Sequence, residues 1–393
     1  MTRVLAKLLL ASALAASVTA CGSTPKPVKK ARKEPRHDAK AMRDEARDDA
    51  KSGDYDAADK KYGEAYEQSK DFDILEEYVY FLAQNGRAAK AVDLAKAYYD
   101  ANVSDTHGYT LYADALLAAE DGAKALEVAD QLIQMNGDDA AGHEKKGRAL
   151  ILLGKEEGLE ELRKAVHLDG SATNQILLGK ALFSLGKVDE AALAFRAAVK
   201  QEPESAEAHT FLGMALRGQS EFDEAKTHLE KAIDLDSRDG RAYFELGLIA
   251  GIQSKAEEAE DALAKAVKLS PNESQFWYAY GEVYRSTDRL DEAISAYRKA
   301  VELDPPYPKA QQKLGLLLVD RKQYDEAEVV LTQAIRRDKN VPINYLNLGV
   351  VYAAKKKNQL AIENFEKFLQ LAPKNDADRG RARDAINELK RKR

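Results

Sequence analysis

A chain of 393 residues, 45% of them hydrophobic, holds ample core material but is too long for one ordinary compact domain. Its 60 bases and 66 acids are intermixed and leave a formal net charge of −6, which excludes the basic face a nucleic-acid binder needs to release phosphate counterions. One cysteine excludes an intramolecular disulfide. Abundant Ala, Leu and charged residues, with few prolines beyond the first forty positions, favour helix over strand.

In chain order, the first element is an address. Arg3 and Lys7 precede the uncharged run Leu8 to Ala20, which is too short to span a bilayer as a helix. Val18-Thr19-Ala20-Cys21 resembles the bacterial lipobox, with Val where Leu is usual. The resemblance implies removal of residues 1–20, export, and lipidation of Cys21 with more than one acyl chain, as stable anchoring requires. Gly22 after the cysteine leans towards outer-membrane sorting, on the periplasmic face. Residues 21–38 read as a lipid-anchored tether. Pro25, Pro27 and Pro35 disfavour helix, and six bases keep the segment solvated. Extended, it reaches roughly 50 Å at about 3.1 Å per residue. The basic cluster either rests on anionic headgroups or acts as a spacer.

Self-similarity governs the remainder. Gly179, Gly213, Gly247, Gly281, Gly315 and Gly349 recur every thirty-four residues, as do Ala191, Ala225, Ala259, Ala293, Ala327 and Ala361. Phe195, Leu229, Leu263, Tyr297, Leu331 and Phe365 form a third ladder in the same phase. Pro203, Pro271, Pro305 and Pro373 punctuate the copies. Trp277, Tyr280, Gly281, Tyr284, Ala293, Tyr297, Ala300 and Pro305 together resemble the tetratricopeptide repeat (TPR), and the likeness covers about 39–375. It implies an all-α fold: an α-solenoid, wound as a right-handed superhelix, of about ten tandem helical hairpins plus a C-terminal capping helix. Gly281 and Ala293 are expected on facing sides of one hairpin, with Tyr284 and Tyr297 filling the gaps. Acids opening the second helices, such as Asp189-Glu190 and Asp291-Glu292, face the helix dipole and can satisfy unpaired amides.

Residues 39–171 carry degenerate copies and 172–375 regular ones. Gly147 precedes Gly179 by only thirty-two, and Gly158 stands where Ala is usual, so hairpin 140–171 is the expected place for a bend. Residues 376–393 form the cap and a basic tail, with Ala382, Ala385, Ile386 and Leu389 on one stripe.

No catalytic, metal or cofactor pattern emerges. The six histidines form no His-x-x-x-His pair, no phosphate-binding Gly-rich loop exists, and His209 occupies the packing position of Trp277. The resemblance implies a concave wall built from the first helices, facing protein or peptide segments. In the regular copies it includes Ile176, Lys180, Phe183, Thr210, Met214 and Arg217, and then the expected partner groove: Phe244, Leu248, Ile252, Tyr278, Glu282, Arg285, Leu316, Val319, Leu346 and Val350. These either form an exposed apolar groove or pack on the adjacent hairpin. Lys309, Lys313 and Asn347 resemble part of a carboxylate clamp, but the Lys-x-x-x-Asn half is missing. The function implied is a membrane-anchored, non-enzymatic scaffold in the bacterial cell envelope, assembling an outer-membrane, pilus or secretion complex. The alternative is a structural or self-associating envelope protein.

Overall fold

The computed structural model describes residues 38–305 and 307–391. Cys21, the lipobox-like run, most of the tether and the last two tail residues lie outside them. Among the described residues there are twenty-one α-helices and no strand. They divide into two compact units at Ser220/Glu221.

The first unit holds α1 (Ala39–Ser52), α2 (Tyr55–Ser69), α3 (Phe72–Gln84), α4 (Ala88–Ala101), α5 (Thr106–Ala118), α6 (Gly122–Met135), α7 (Ala140–Leu152), α8 (Gly158–Leu168), α9 (Ala172–Ser184), α10 (Val188–Gln201) and α11 (Ala206–Gly218). The second holds α12 (Phe222–Leu235), α13 (Gly240–Ile252), α14 (Ala256–Leu269), α15 (Ser274–Ser286), α16 (Leu290–Leu303), α17 (Pro308–Asp320), α18 (Tyr324–Arg337), α19 (Pro342–Ala354), α20 (Asn358–Leu371) and α21 (Asp378–Arg391). Within each unit, odd-numbered helices pair with the even-numbered helix that follows as a tight antiparallel hairpin, and each hairpin stacks on the next. The chain is therefore an α-solenoid.

The glycine ladder explains the pairing. A Cβ built on Gly281 would sit 2.7 Å from the Tyr297 ring, one on Gly349 2.6 Å from the Phe365 ring, and one on Gly315 2.5 Å from Leu331. The bare backbone of the first helix is the floor on which the large side chain of the second lies. Gly281 thus faces Tyr297, and at the equivalent crossing Gly247 lies against both Leu263 and the backbone of the ladder alanine Ala259. In the shortened hairpin Gly147 and Gly158 face one another, and a Cβ on Gly158 would stand 2.5 Å from the Gly147 carbonyl oxygen. Two backbones touch there, so Ala in place of Gly158 does not fit. This hairpin lies inside the first unit, not at its boundary.

Each hairpin turn contains one residue in the left-handed region. Gly86, Gly154 and Gly186 supply it cheaply, whereas Glu120, Ser254, Asp288, Lys322 and Lys356 hold φ between 57 and 61°. Side-chain caps occur on the first helices, where Asp71, Asp105, Asp139, Ser171, Ser205 and Asp239 accept backbone N–H groups. At α17 and α19 Pro308 and Pro342 start the helix instead. The residues preceding α10, α12, α14, α16, α18 and α20 make no side-chain cap bond; the acids opening α10, α12, α14, α16 and α18 face the positive end of the dipole, and Glu292 also accepts a backbone N–H of its own turn. Finally, α21 buries Ala382, Ile386 and Leu389 against Phe365 and Phe368, with Ala385 half-buried beside them.

Two outcomes are expected in urea unfolding followed by helicity. Gly349→Ala gains about 1 kcal/mol of helix propensity but meets a rigid ring, a clash worth about 1–3 kcal/mol, so it destabilises on balance. Combined with Phe365→Ala, the double variant should lose less than the two single losses added. Lys356→Gly, which relieves a left-handed residue, should stabilise by about 0.5–1 kcal/mol.

Candidate functional site

First helices of neighbouring hairpins lie side by side in each unit, so equivalent positions form rows across them. The row immediately following the glycine ladder runs Leu248, Glu282, Leu316 and Val350 in the second unit. Leu316 is 36% and Val350 37% exposed, and Ile252, one turn beyond Leu248, is 57% exposed. Leu248, Tyr278, Val319 and Leu346 are half-buried and lean on the core beneath them. Arg285 is exposed and Glu282 half-buried.

Phe244 is a correction. It is 9% exposed and stacked on Phe276, ring centroids 4.3 Å apart at 20°. It joins α13 to α15 and is not available to a partner. In the first unit, Ile176, Lys180, Thr210 and Met214 are likewise buried, while Phe183 and Arg217 are half-buried. A long side chain at these positions is captured by the next hairpin before it can line a groove.

Glu282 organises the middle of the second unit's face. Its carboxylate accepts from the Tyr297 hydroxyl and from Arg285 Nη2 at 3.0 Å, and Lys313 Nζ lies 3.8 Å away. Burial alone would raise this carboxyl. Arg285, Tyr297 and Lys313 outweigh it and hold it below the usual carboxylate range. Tyr278 packs between Tyr297 and Tyr307, at 5.7 and 5.2 Å. The aliphatic side chains therefore flank a charged centre whose single acid is already neutralised.

In the first unit the same rows carry a feature that sequence reasoning passed over. Asp114 of α5 and Glu144, Lys145 and Arg148 of α7 are all buried. Arg148 reaches Asp114 at 2.9 Å and Glu144 at 2.7 Å, while Lys145 reaches them at 2.9 and 2.5 Å. The Tyr80 hydroxyl of α3 donates to Asp114 at 3.2 Å. Burial would raise the Asp114 carboxyl, but Lys145 and Arg148 overcome it and lower its pKa. Two acids and two bases balance, so the quartet joins α5 to α7 without net charge, and Tyr80 ties α3 to it. Its signal was legible: Asp114 and Arg148 occupy the row of Leu248 and Leu316, where the later copies are mostly apolar.

A second missed device pins the loops entering the first helices. At one repeat position Tyr109, His143, His209, Trp277, Gln311 and Tyr345 each reach the carbonyl six residues earlier, at 2.7–3.2 Å. Side chains of four kinds share only a hydrogen-bond donor at one height. His209 is thus packed and pinned, as its alignment with Trp277 implied.

Family models decide the affiliation. Tetratricopeptide repeat models match residues 43–105, 176–225 and 212–274, and the TPR domain of cytochrome c-type biogenesis protein H matches 262–379. The chain belongs to the tetratricopeptide repeat family. No curated protein matches it. Among solved structures, this TPR chain is similar to a chain of the APC/C hetero-tetramer Cut9–Hcn1, at 16% identity and TM-score 0.51, over 89% of this chain and 76% of that one. It is also similar to yeast Tom70, at 16% identity and TM-score 0.48 over 90% and 96%. For Pseudomonas aeruginosa pilF the figures are 21% and 0.47, over 60% and 100%. These are likenesses of fold. TPR proteins mediate protein–protein interaction. Among the described residues, no helix is long and apolar enough to cross a membrane, and no three His, Cys, Asp or Glu side chains converge as a metal site.

Breaking the buried quartet should be costly. Asp114→Ala leaves Glu144 alone against Lys145 and Arg148, one buried positive charge uncompensated, and should destabilise the first unit by about 3–5 kcal/mol, whereas replacing all four members by apolar residues of similar volume should be neutral or stabilising. Because the Asp114 pKa is lowered by folding, its contribution is full above about pH 4 and is lost as the pH falls through the folded-state value. The wild type should therefore lose more stability than the apolar variant between pH 5 and pH 3, as read by urea midpoints.

Proposed function

We propose that this protein is a non-enzymatic scaffold of the bacterial cell envelope, held at the membrane through a lipid on Cys21, which binds a partner protein on the first-helix face of its second unit. One observation carries the reading. Leu316, Val350 and Ile252 stay exposed on that face, whereas the buried members of the same rows are absorbed into the stack. A scaffold that only had to support itself would be expected to place polar residues there. The match of residues 262–379 to a biogenesis protein's TPR domain supports a role in assembling other proteins. The lipobox-like run before Cys21 supports the anchor, on the periplasmic face of the outer membrane.

Two measurements test this. A photo-crosslinking residue at Leu316, in cells, should trap one partner, and Val350→Asp should abolish the adduct without altering helicity. Adducts formed only with copies of the chain would replace the reading by self-association, and no adduct at all would overturn it. Cys21→Ser should release the protein from the membrane fraction; unchanged fractionation removes the lipid anchor.

A further inference from the structure

The charged centre of the second unit's face has a sign, and that sign selects a partner. On α15 and α17 the first-helix face carries Arg285, Lys309 and Lys313 against Glu282 and Asp320. In a chain of net charge −6 this is a local excess of bases. Glu282 is engaged by Tyr297, Arg285 and Lys313 together, which leaves it little capacity to attract a cation. Arg285 directs one amino group at Glu282, and a guanidinium carries five N–H donors, so its fork retains capacity for a second carboxylate. Lys313 stands 3.8 Å from Glu282, longer than a hydrogen bond, and is only half-buried. Asp320, at the far end of α17, is exposed to water.

Aliphatic side chains stand on both sides of this centre. Leu248 and Ile252 lie towards α13, and Leu316, Val319 and Val350 lie on α17 and α19. We infer that the face takes an amphipathic segment with an acidic residue at its middle. The acidic side chain meets Arg285 and Lys313, and its flanking aliphatic residues cover Leu248 and Ile252 on one side and Leu316 and Val350 on the other. A lysine at that middle position would face two cations, with the one adjacent carboxylate already occupied. Neighbouring helices pack 8–10 Å apart, so the two aliphatic groups are separated by roughly 16–20 Å. About a dozen helical residues span that distance. This inference rests on the docking role assigned to the same face, and it adds the chemistry of the occupant.

The test uses the full chain and three peptides, each about twenty residues long, acetylated and amidated so that no terminal charge contributes. All are amphipathic helix formers with Leu on one face, and they differ only in a central Asp, Asn or Lys. Fluorescence anisotropy should rank Asp above Asn by about threefold to tenfold, with Lys weakest. The ranking should narrow in high salt. In the double variant Arg285→Gln with Lys313→Gln the three affinities should converge, while Leu316→Asn, which adds no charge, should weaken all three peptides alike. Circular dichroism confirms that each variant keeps its helicity.

Equal affinities in the wild type, a Lys preference, or a ranking that survives the double variant each overturn the acidic assignment. If Leu316→Asn still weakens all three peptides in that case, the docking face itself stands. Failure of all three peptides to bind overturns this inference, and the crosslink at Leu316 then decides separately whether the face has another occupant.

Discussion

The interaction on which everything else depends is the seating of one large side chain on bare backbone inside each hairpin. Where the first helix has Gly, the residue sixteen further on is Phe, Leu or Tyr, as in Gly179 and Phe195, Gly247 and Leu263, or Gly281 and Tyr297. Where the first helix has Val79 or Ala113, the corresponding residue is Ala95 or Ala129, and all four are buried. The two positions at each crossing pack against one another, because a close-packed interior tolerates neither a void nor an extra methyl group. The shortened hairpin keeps this seating, with Leu162 lying on Gly147, and adds a close backbone approach of Gly147 to Gly158. Degenerate copies therefore fold as the regular ones do.

With the crossing fixed, the first-helix face becomes free to vary, and the two units use it differently. The row that carries Asp114 and Arg148 in one unit carries Leu316 and Val350 in the other. In the first, four charges neutralise one another and bind two helices together, with the Tyr80 hydroxyl attaching a third, at a desolvation cost that apolar packing would not incur. In the second, aliphatic side chains stay in water around a neutralised Glu282. One face has turned inward and serves its own stack. The other retains unspent hydrophobic surface, which is the more natural place for a partner.

Burial also explains why Phe244 fails as an anchor although its repeat position is that of Tyr278. The stack offers it Phe276, and ring-on-ring contact removes it from solvent. Tyr278 stays half-buried at the same position because Tyr297 and Tyr307 crowd its flanks. Glu282 depends equally on neighbours from outside its own turn, since Tyr297 and Lys313 come from different helices.

The sequence alone determined the helical class, the thirty-four-residue hairpin and the family, because each rests on small residues repeated at fixed intervals. It also indicated which rows face which way, since side-chain direction follows helical phase. Only the tertiary structure decided which members of a row are exposed. That depends on what the next hairpin brings against them, and such contacts join residues thirty or more positions apart with no periodic signal of their own. The carbonyl pins made by Tyr109, His143, His209, Trp277, Gln311 and Tyr345 escaped for a related reason: they share a donor atom in space and no residue type in sequence.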